Sequence, residues 1–216
     1  VEAASIGDAD GLYWGYEARI RDAESRLGAT VATVGEILAV RRSDWRPIPP
    51  ATVVDDAYTA MTNLSRGRDV RFAPKAVSLE APSASGAIER RRRRRINAGR
   101  LQLLTRREIW PWRRPAVLIA FLSHKVLRLG LPFLLVTGAA ANAVTVALRP
   151  EADAFAALLA AHALFFVLAA AGLLFERHRW NWKPAGLAYH IVGSGFTVFG
   201  AIADVLSGRR LALWEK

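Results

Sequence analysis

Hydrophobic and polar positions divide the chain into a mixed first half, up to about Arg114, and an apolar second half. The second half contains three uncharged runs, at residues 129–148, 154–175 and 184–203. Each run has about the 20 residues that an α-helix needs to cross a hydrocarbon core of about 30 Å. Residues 129–216 are therefore predicted to form about three transmembrane helices and a short tail, with long buried helices of a soluble protein as the alternative.

The first half combines helical periodicity with short apolar runs. Apolar residues at spacings of three and four predict an amphipathic helix over 12–27, with Asp10 as its N-cap and Gly28 just after its end. Its predicted apolar face contains Tyr16 and Leu27. A short helix follows at Asp55–Leu64, and a later one carries the arginine run to about Arg107. Strands are predicted at 30–34, 37–40, 70–72 and 76–79.

Between the two halves, residues 108–128 are predicted to lie at a membrane interface. The stretch Trp110–Pro115 combines aromatic and basic side chains, which are enriched at that depth. The stretch Val117–Arg128 is apolar, but its polar residues make it costly to span a bilayer. An interfacial amphipathic helix is the expected structure.

Six consecutive arginines, Arg90–Arg95, stand at the seam between the halves. Such a run is compatible with a nucleic-acid patch, a solvated linker or the cytoplasmic shoulder of a membrane domain. Its position before the apolar runs favours the third, because anionic headgroups attract each arginine by about 1 kcal/mol. The net charge of +11 would suit a polyanion, but a hydrophobic content of 52% is too high for a typical basic nucleic-acid-binding protein. Membrane lipid, and no nucleic acid, is the expected partner.

The loops predict the orientation in the membrane. The loop at 149–153 carries little positive charge, whereas the loop at 176–183 is basic and aromatic. The positive-inside rule therefore places residues 1–128 and 176–183 in the cytoplasm. It leaves Arg209 outside against the rule, so that either the last helix does not fully cross or the tail is an exception. The chain has no cysteine, which excludes disulfides and cysteine catalysis.

Adjacent carboxylates at a helix start, Asp55 and Asp56, are the main chemical candidates. One interpretation is capping, since a carboxylate there accepts unpaired backbone N–H groups and meets the positive end of the helix. The other is general-base catalysis on a sugar hydroxyl within hydrogen-bond reach. Periodicity and spacing leave both open.

Several short motifs together resemble a known family. In chain order they are Leu12-Tyr13-Trp14-Gly15-Tyr16-Glu17, Glu24-Ser25-Arg26-Leu27-Gly28, Ala39-Val40-Arg41-Arg42, Val54-Asp55-Asp56-Ala57, Ala76-Val77, Arg93-Arg94-Arg95-Ile96-Asn97-Ala98-Gly99-Arg100-Leu101-Gln102 and Ser123-His124-Lys125. The series is similar to the family 2 inverting, membrane-integrated glycosyltransferases, the synthases of cellulose, chitin, hyaluronan and poly-N-acetylglucosamine. The resemblance covers roughly residues 11–130, and the apolar runs that follow fit the membrane helices of such enzymes.

The resemblance implies a fold class and a set of site residues. Residues 1–107 would be the C-terminal, acceptor-side part of a cytoplasmic α/β domain of the GT-A type, followed by the membrane helices. Asp56 would be the general base, with Asp55 preceding it and Tyr58 on the helix that touches the acceptor. The family's Gln-x-x-Arg-Trp signature, which contacts donor diphosphate and acceptor, falls on Arg92 to Ile96. Only Arg95 matches it: Arg92 replaces the glutamine and Ile96 the tryptophan. Arg92, Arg95, Tyr58 and Gln102 are thus the implied substrate contacts.

The same resemblance implies components that this chain does not supply. Such enzymes use an Asp-x-Asp motif to hold a divalent cation, Mg²⁺ or Mn²⁺. Asp8-Ala9-Asp10 has the letters without the preceding strand, so it is predicted to be a loop or a helix cap. The donor half and the cation are therefore expected through residues outside this chain, which alone would be inactive.

The implied reaction determines the expected partners and location. A nucleotide-sugar donor and a polysaccharide or glycolipid acceptor would meet at the cytoplasmic face of a bacterial inner or plasma membrane, with accessory export subunits as further partners. Two other functions stay open: a non-catalytic membrane anchor or subunit of a polysaccharide-synthesis complex, and a soluble nucleic-acid binder.

Overall fold

The computed structural model describes residues 2–78, 86–178 and 182–208. Within these ranges the chain is mostly helical, and residues 27–54 and 66–78 form loops and turns. A 3₁₀ turn lies at Arg107–Ile109 and a π-helical turn at Leu122–Val126. The α-helices are α1 (Glu2–Arg26), α2 (Asp55–Ser65), α3 (Gly86–Leu104), α4 (Pro115–Phe121), α5 (Leu127–Leu148), α6 (Asp153–His178) and α7 (Lys183–Leu206).

The predicted strands do not form among the described residues, so an α/β domain is not what the structure shows. One isolated parallel bridge joins Ala29 to Val70. Beyond it the N–H of Val31 donates to the Glu24 carboxylate at 3.1 Å, where a ladder would need a backbone carbonyl. A strand needs a paired neighbour along its length, and the described part of the chain offers only this bridge. The predicted strand at 76–79 extends to Leu79, which lies outside the described residues.

Helix α1 has the predicted end but a different start and a different buried face. It begins at Glu2, so that Asp10 is inside the helix and does not cap it. It ends in a Schellman motif, because Gly28 has a φ of +65° and its N–H donates to the Ser25 carbonyl at 2.9 Å. The predicted apolar face is wrong, since Tyr16 and Leu27 are exposed by 57% and 62%. Charged side chains take the buried face instead: Glu17, Arg21 and Glu24.

The hydrophobic core of the first half forms around α2, which matches its predicted range. Its buried residues include Tyr58, Met61 and Leu64, which are spaced three positions apart and belong to the core. They pack with side chains from the loops, from α3 and from α4: Ala29, Val31, Val54, Leu103, Ile109, Val117 and Phe121. The loop after α1 and the start of the long C-terminal helices are thereby fixed on one core.

The predicted interfacial segment and the first predicted span are one continuous helix. Helix α4, the π turn and α5 run without a break from Pro115 to Leu148, so residue 128 lies inside this helix. Val117 and Phe121 pack in the core of the first half, and His124 contacts α1.

Three helices are long and apolar enough to cross a membrane: Pro115–Leu148, Asp153–Phe175 and Lys183–Leu206. The prediction of three such helices is confirmed. Their contacts with one another include the close approach of Gly172 on α6 to the Ala185 carbonyl on α7. Phe133 on α5 also packs edge-on against Phe199 on α7, with ring centroids 4.7 Å apart.

The arginine helix α3 lies against α7. Arg94 forms a bidentate ion pair with Asp204, at 2.5 and 2.7 Å, and Asn97 donates to the Thr197 hydroxyl at 2.9 Å. Two further arginines of the run, Arg92 and Arg93, pair with Glu89 on their own helix. The run is therefore not simply a solvated or lipid-facing stretch, because three of its members have ion pairs within the protein.

Candidate active-site cavity

A cavity of about 170 Å³ lies where the first half meets the long helix. Helix α1, the loop at 31–36, α2 and α3 form its walls, and the α4–α5 helix closes one side. Its apolar lining includes Val31, Met61 and Phe121. Its charged lining consists of Glu17, Arg21, Glu36, Asp56, Arg92, Arg100 and Lys125.

Asp56 is the carboxylate that faces this cavity from the start of α2. The Thr33 hydroxyl donates a hydrogen bond to its Oδ2 at 3.4 Å, and the loop passes it closely at Gly35. Burial raises the pKa of the Asp56 carboxyl above its ordinary value, and the charge of Asp55 adds to the rise. The N–H of Ala57, the charge of Lys125 and the Thr33 hydroxyl oppose it without cancelling it. A carboxylate with a raised pKa is a better proton acceptor.

Capping and cavity exposure turn out to be compatible at this helix start. The N-cap position is Val54, which offers no side-chain oxygen, and the Asp55 carboxylate accepts the N–H of Asp56 at 3.0 Å. Asp55 is exposed and does not line the cavity. The two carboxylates therefore have different surroundings: Asp55 accepts a backbone N–H at the helix start, and Asp56 lines the cavity.

Helix α3 holds the loop that leads into α2. The Gln102 side chain donates to the carbonyl of Ala51 at 2.9 Å and accepts the N–H of Val53 at 3.3 Å. Ala51 has a φ of +63°, a left-handed conformation that needs such support in a residue with a side chain. Gly99 allows the close approach, because a Cβ there would lie 2.8 Å from the Cβ of Val53. Gln102 is therefore placed to position Asp56, and it does not line the cavity.

Four cations line the same cavity as Asp56: Arg21, Arg92, Arg100 and Lys125. The guanidinium of Arg21 stacks over the ring of Trp14, which also lines the cavity, at 5.2 Å. The side chain of Arg21 is 8% exposed, and its Nε–H has no hydrogen-bond partner. A buried donor of this kind costs free energy unless a ligand or water completes it.

A buried cluster behind the cavity joins α1 to the π turn. His124 lies between two carboxylates, with Nδ1 2.7 Å from Glu24 and Nε2 3.2 Å from Glu17. Arg128 and Arg21 also pair with Glu17. The other carboxylate oxygen of Glu24 accepts a backbone N–H from the loop that walls the cavity. The cluster therefore ties three walls of the cavity together.

Glu17 is held ionised by this cluster. Burial alone would raise the pKa of its carboxyl. The hydrogen bond from His124, together with the charges of Lys125 and Arg128, overcomes burial and holds the pKa well below its usual range. Ionised Glu17 in turn partly balances the cations around the cavity.

The structure brings only some of the predicted substrate contacts together. Asp56 and Arg92 share the cavity. Tyr58 is buried in the core with its ring under Arg106, and Arg95 does not line the cavity. The pKa of Tyr58 is raised by burial and by Glu108, which fits a packing residue.

Sequence reasoning assigned no role to Arg21, Arg100 or Lys125. Lys125 and Arg100 did belong to the motifs quoted for the family resemblance, so their signal was present as similarity. Arg21 had a subtler signal. It is spaced four residues from Glu17, which places both side chains on one helical face.

The described residues contain no cluster of three or more histidine, aspartate or glutamate side chains suited to a metal ion. Asp8 and Asp10 lie within α1, and their side chains are outside the described part. The sequence analysis expects the divalent cation to be held by residues outside this chain, and the described residues do not test that expectation.

The cavity combines one basic carboxylate with several cations in a half-enclosed space. That arrangement can accept a proton from a bound hydroxyl while holding a phosphate or another anion nearby. Comparisons with protein-family models, with curated proteins and with solved structures return no match for this chain.

Proposed function

We propose that this protein is a membrane-integrated inverting glycosyltransferase in which Asp56 is the general base. The observation that carries the proposal is the placement of Asp56, a carboxyl with a raised pKa, in a cavity lined by four cations. The motif series that resembles the membrane-integrated synthases supports it. The three long apolar helices support membrane integration. The cytoplasmic location of the first half, in a bacterial cell, is part of the proposal and is based on the charges of the loops.

The reaction would join a nucleotide-activated sugar to a hydroxyl group. Asp56 takes the proton of the acceptor hydroxyl while the oxygen of that hydroxyl forms a bond with the anomeric carbon. The bond from that carbon to the diphosphate breaks, and the nucleoside diphosphate leaves with the electron pair. Attack opposite the leaving group inverts the configuration. Arg92, on the cavity wall, is placed to stabilise the negative charge of the leaving group.

The departures from the family signature bear on the acceptor. Ile96 lines the cavity at the position where the family has a stacking tryptophan, so that the acceptor sugar loses an aromatic platform. The number of sugars added, the export of a polymer and the accessory subunits are open parts of the proposal.

Incorporation of labelled sugar tests the proposal. Membranes carrying the protein, expressed from its complete reading frame, are supplied with a panel of UDP-sugars and magnesium or manganese. We expect one donor to label a product, and Asp56→Asn to abolish labelling at equal membrane abundance. Asp22→Asn, an equal charge change on the exposed side of α1, is the control and should label normally. Equal incorporation by native protein and Asp56→Asn would favour a non-catalytic membrane anchor.

A further inference from the structure

One cation of the cavity, Arg21, is not fully matched by the protein's own groups, because it keeps a buried Nε–H without a hydrogen-bond partner. The charges of Arg100, Arg128 and Arg21 act against the charge of the buried Lys125, and Glu17 offsets only part of this effect. Like charges gathered in a half-buried space are stabilised by an anion that offsets them. The arrangement therefore points to a bound anion that the protein does not supply.

The position of Lys125 along the chain indicates which anion can reach the cavity. Lys125 lies on the long helix Pro115–Leu148, one turn before Leu129, which also lines the cavity. Leu129 begins the uncharged run 129–148. Phe121, one turn before Lys125, lines the cavity as well. The cavity therefore adjoins the point at which the uncharged part of this helix begins. Phospholipid headgroups lie at that depth.

We propose that Arg21, Arg100 and Lys125 bind the phosphate of an anionic phospholipid headgroup at the inner end of the cavity. The planar guanidinium groups would donate to the phosphate oxygens, and Lys125 would add a point charge. Arg92 of the arginine run lines the same cavity but pairs with Glu89 on its own helix, so it is not part of the proposed phosphate site. The inference stands on the cavity alone and does not require sugar transfer. If both proposals hold, the headgroup lies beside Asp56 and its lipid is the acceptor.

Trp14 supplies a local signal for the test, because its ring carries the Arg21 guanidinium and lines the cavity. The complete protein in a neutral detergent is titrated with short-chain phosphatidylglycerol, and its tryptophan fluorescence is followed. Phosphatidylcholine, glycerol phosphate, inorganic pyrophosphate and UDP are titrated separately. The variant Trp14→Phe identifies the part of the signal that comes from the cavity.

We expect a saturable Trp14 signal with phosphatidylglycerol that is weakened about tenfold in Arg21→Gln and in Lys125→Gln. Arg26→Gln is the matched control, because Arg26 is on the same helix and its side chain is 79% exposed; it should bind normally. Arg21→Lys keeps the charge and should retain most of the binding. Thermal unfolding of each variant separates loss of binding from loss of fold.

Three results would overturn the proposal. The first is equal affinity for phosphatidylcholine, which carries the same phosphate beside a positive choline, because the cations would then not distinguish a net anionic headgroup. The second is unchanged phosphatidylglycerol binding in folded Arg21→Gln and Lys125→Gln. The third is saturation by UDP or pyrophosphate with no response to phosphatidylglycerol, which would assign the cations to the donor diphosphate.

Discussion

Replacing Glu17 with glutamine should unfold the junction between α1 and the long helix. Glu17 is fully buried and pairs with Arg128, His124 and Arg21. The amide keeps the shape of the carboxyl but removes the charge, which leaves the guanidinium groups and the imidazole without their common partner. Removing one member of a buried ion pair typically costs about 3–5 kcal/mol. For a chain of this size that corresponds to a fall in melting temperature of about 6–20 °C.

The assay is thermal unfolding in mild detergent, with Asp22→Asn as the matched control. Asp22 is on the same helix and pairs with Arg26, but both side chains are well exposed, by 46% and 79%. Exposed pairs contribute about 0–1 kcal/mol, so the control should melt within a few degrees of the native protein. Equal melting temperatures for native protein and Glu17→Gln would refute the reasoning, because the cluster would then contribute nothing to stability.

Glu17 should also make the stability of the folded protein depend on pH. The pKa of Glu17 is lowered by folding, so its stabilising effect is complete above the unfolded value of about 4.3. It is lost as the pH falls below that value towards the folded pKa. Native protein should therefore lose stability in acid more steeply than Glu17→Gln over this range. Parallel acid-unfolding curves would show that Glu17 is not ionised in the folded state.

Two further pairs of substitutions test other contacts in the fold. Gly28→Ala should lower the free energy of unfolding by about 2–3 kcal/mol, because its φ of +65° is strained for alanine and the new Cβ would meet the Asp69 carboxyl at 2.5 Å. Gly67→Ala is the control, since its φ of +81° is also strained but the space around it is open. It should lower the free energy of unfolding by only about 1–2 kcal/mol in the same denaturant titration. Asp204→Asn should lower the free energy of unfolding by about 1.5–3 kcal/mol, because it removes the charge that pairs with Arg94 on α3. Asp153→Asn, at an exposed position, should change it little. Similar losses within either pair would contradict the assignment.

The parts of the fold that local patterns determine were predictable. The three long apolar helices follow from runs that are each long enough to cross a bilayer, and α2 follows from its periodicity and from Gly67 beyond its end. The Schellman end of α1 was likewise visible in the placement of Gly28. Each depends on residues within a few positions of one another.

The parts that depend on distant partners were not predictable. The face of α1 was misassigned because Glu17 and Glu24 find their partners at His124, about a hundred residues away. The predicted strands do not form because a strand needs a paired neighbour along its length, and the described residues contain only the single bridge from Ala29 to Val70. Similarly, Asp56 was singled out by its helix start, but its cavity is assembled from segments that no local pattern connects.

In the proposed enzyme, Asp56 is kept for chemistry and not for stability. Because its pKa is raised by folding, the ionised carboxyl weakens the folded state at neutral pH. The most direct measurement is sugar incorporation and thermal unfolding on the same preparations of native protein and Asp56→Asn. The account predicts that the variant loses incorporation while its melting temperature is unchanged or higher. Retained incorporation, or a loss that follows a lower melting temperature, would contradict it.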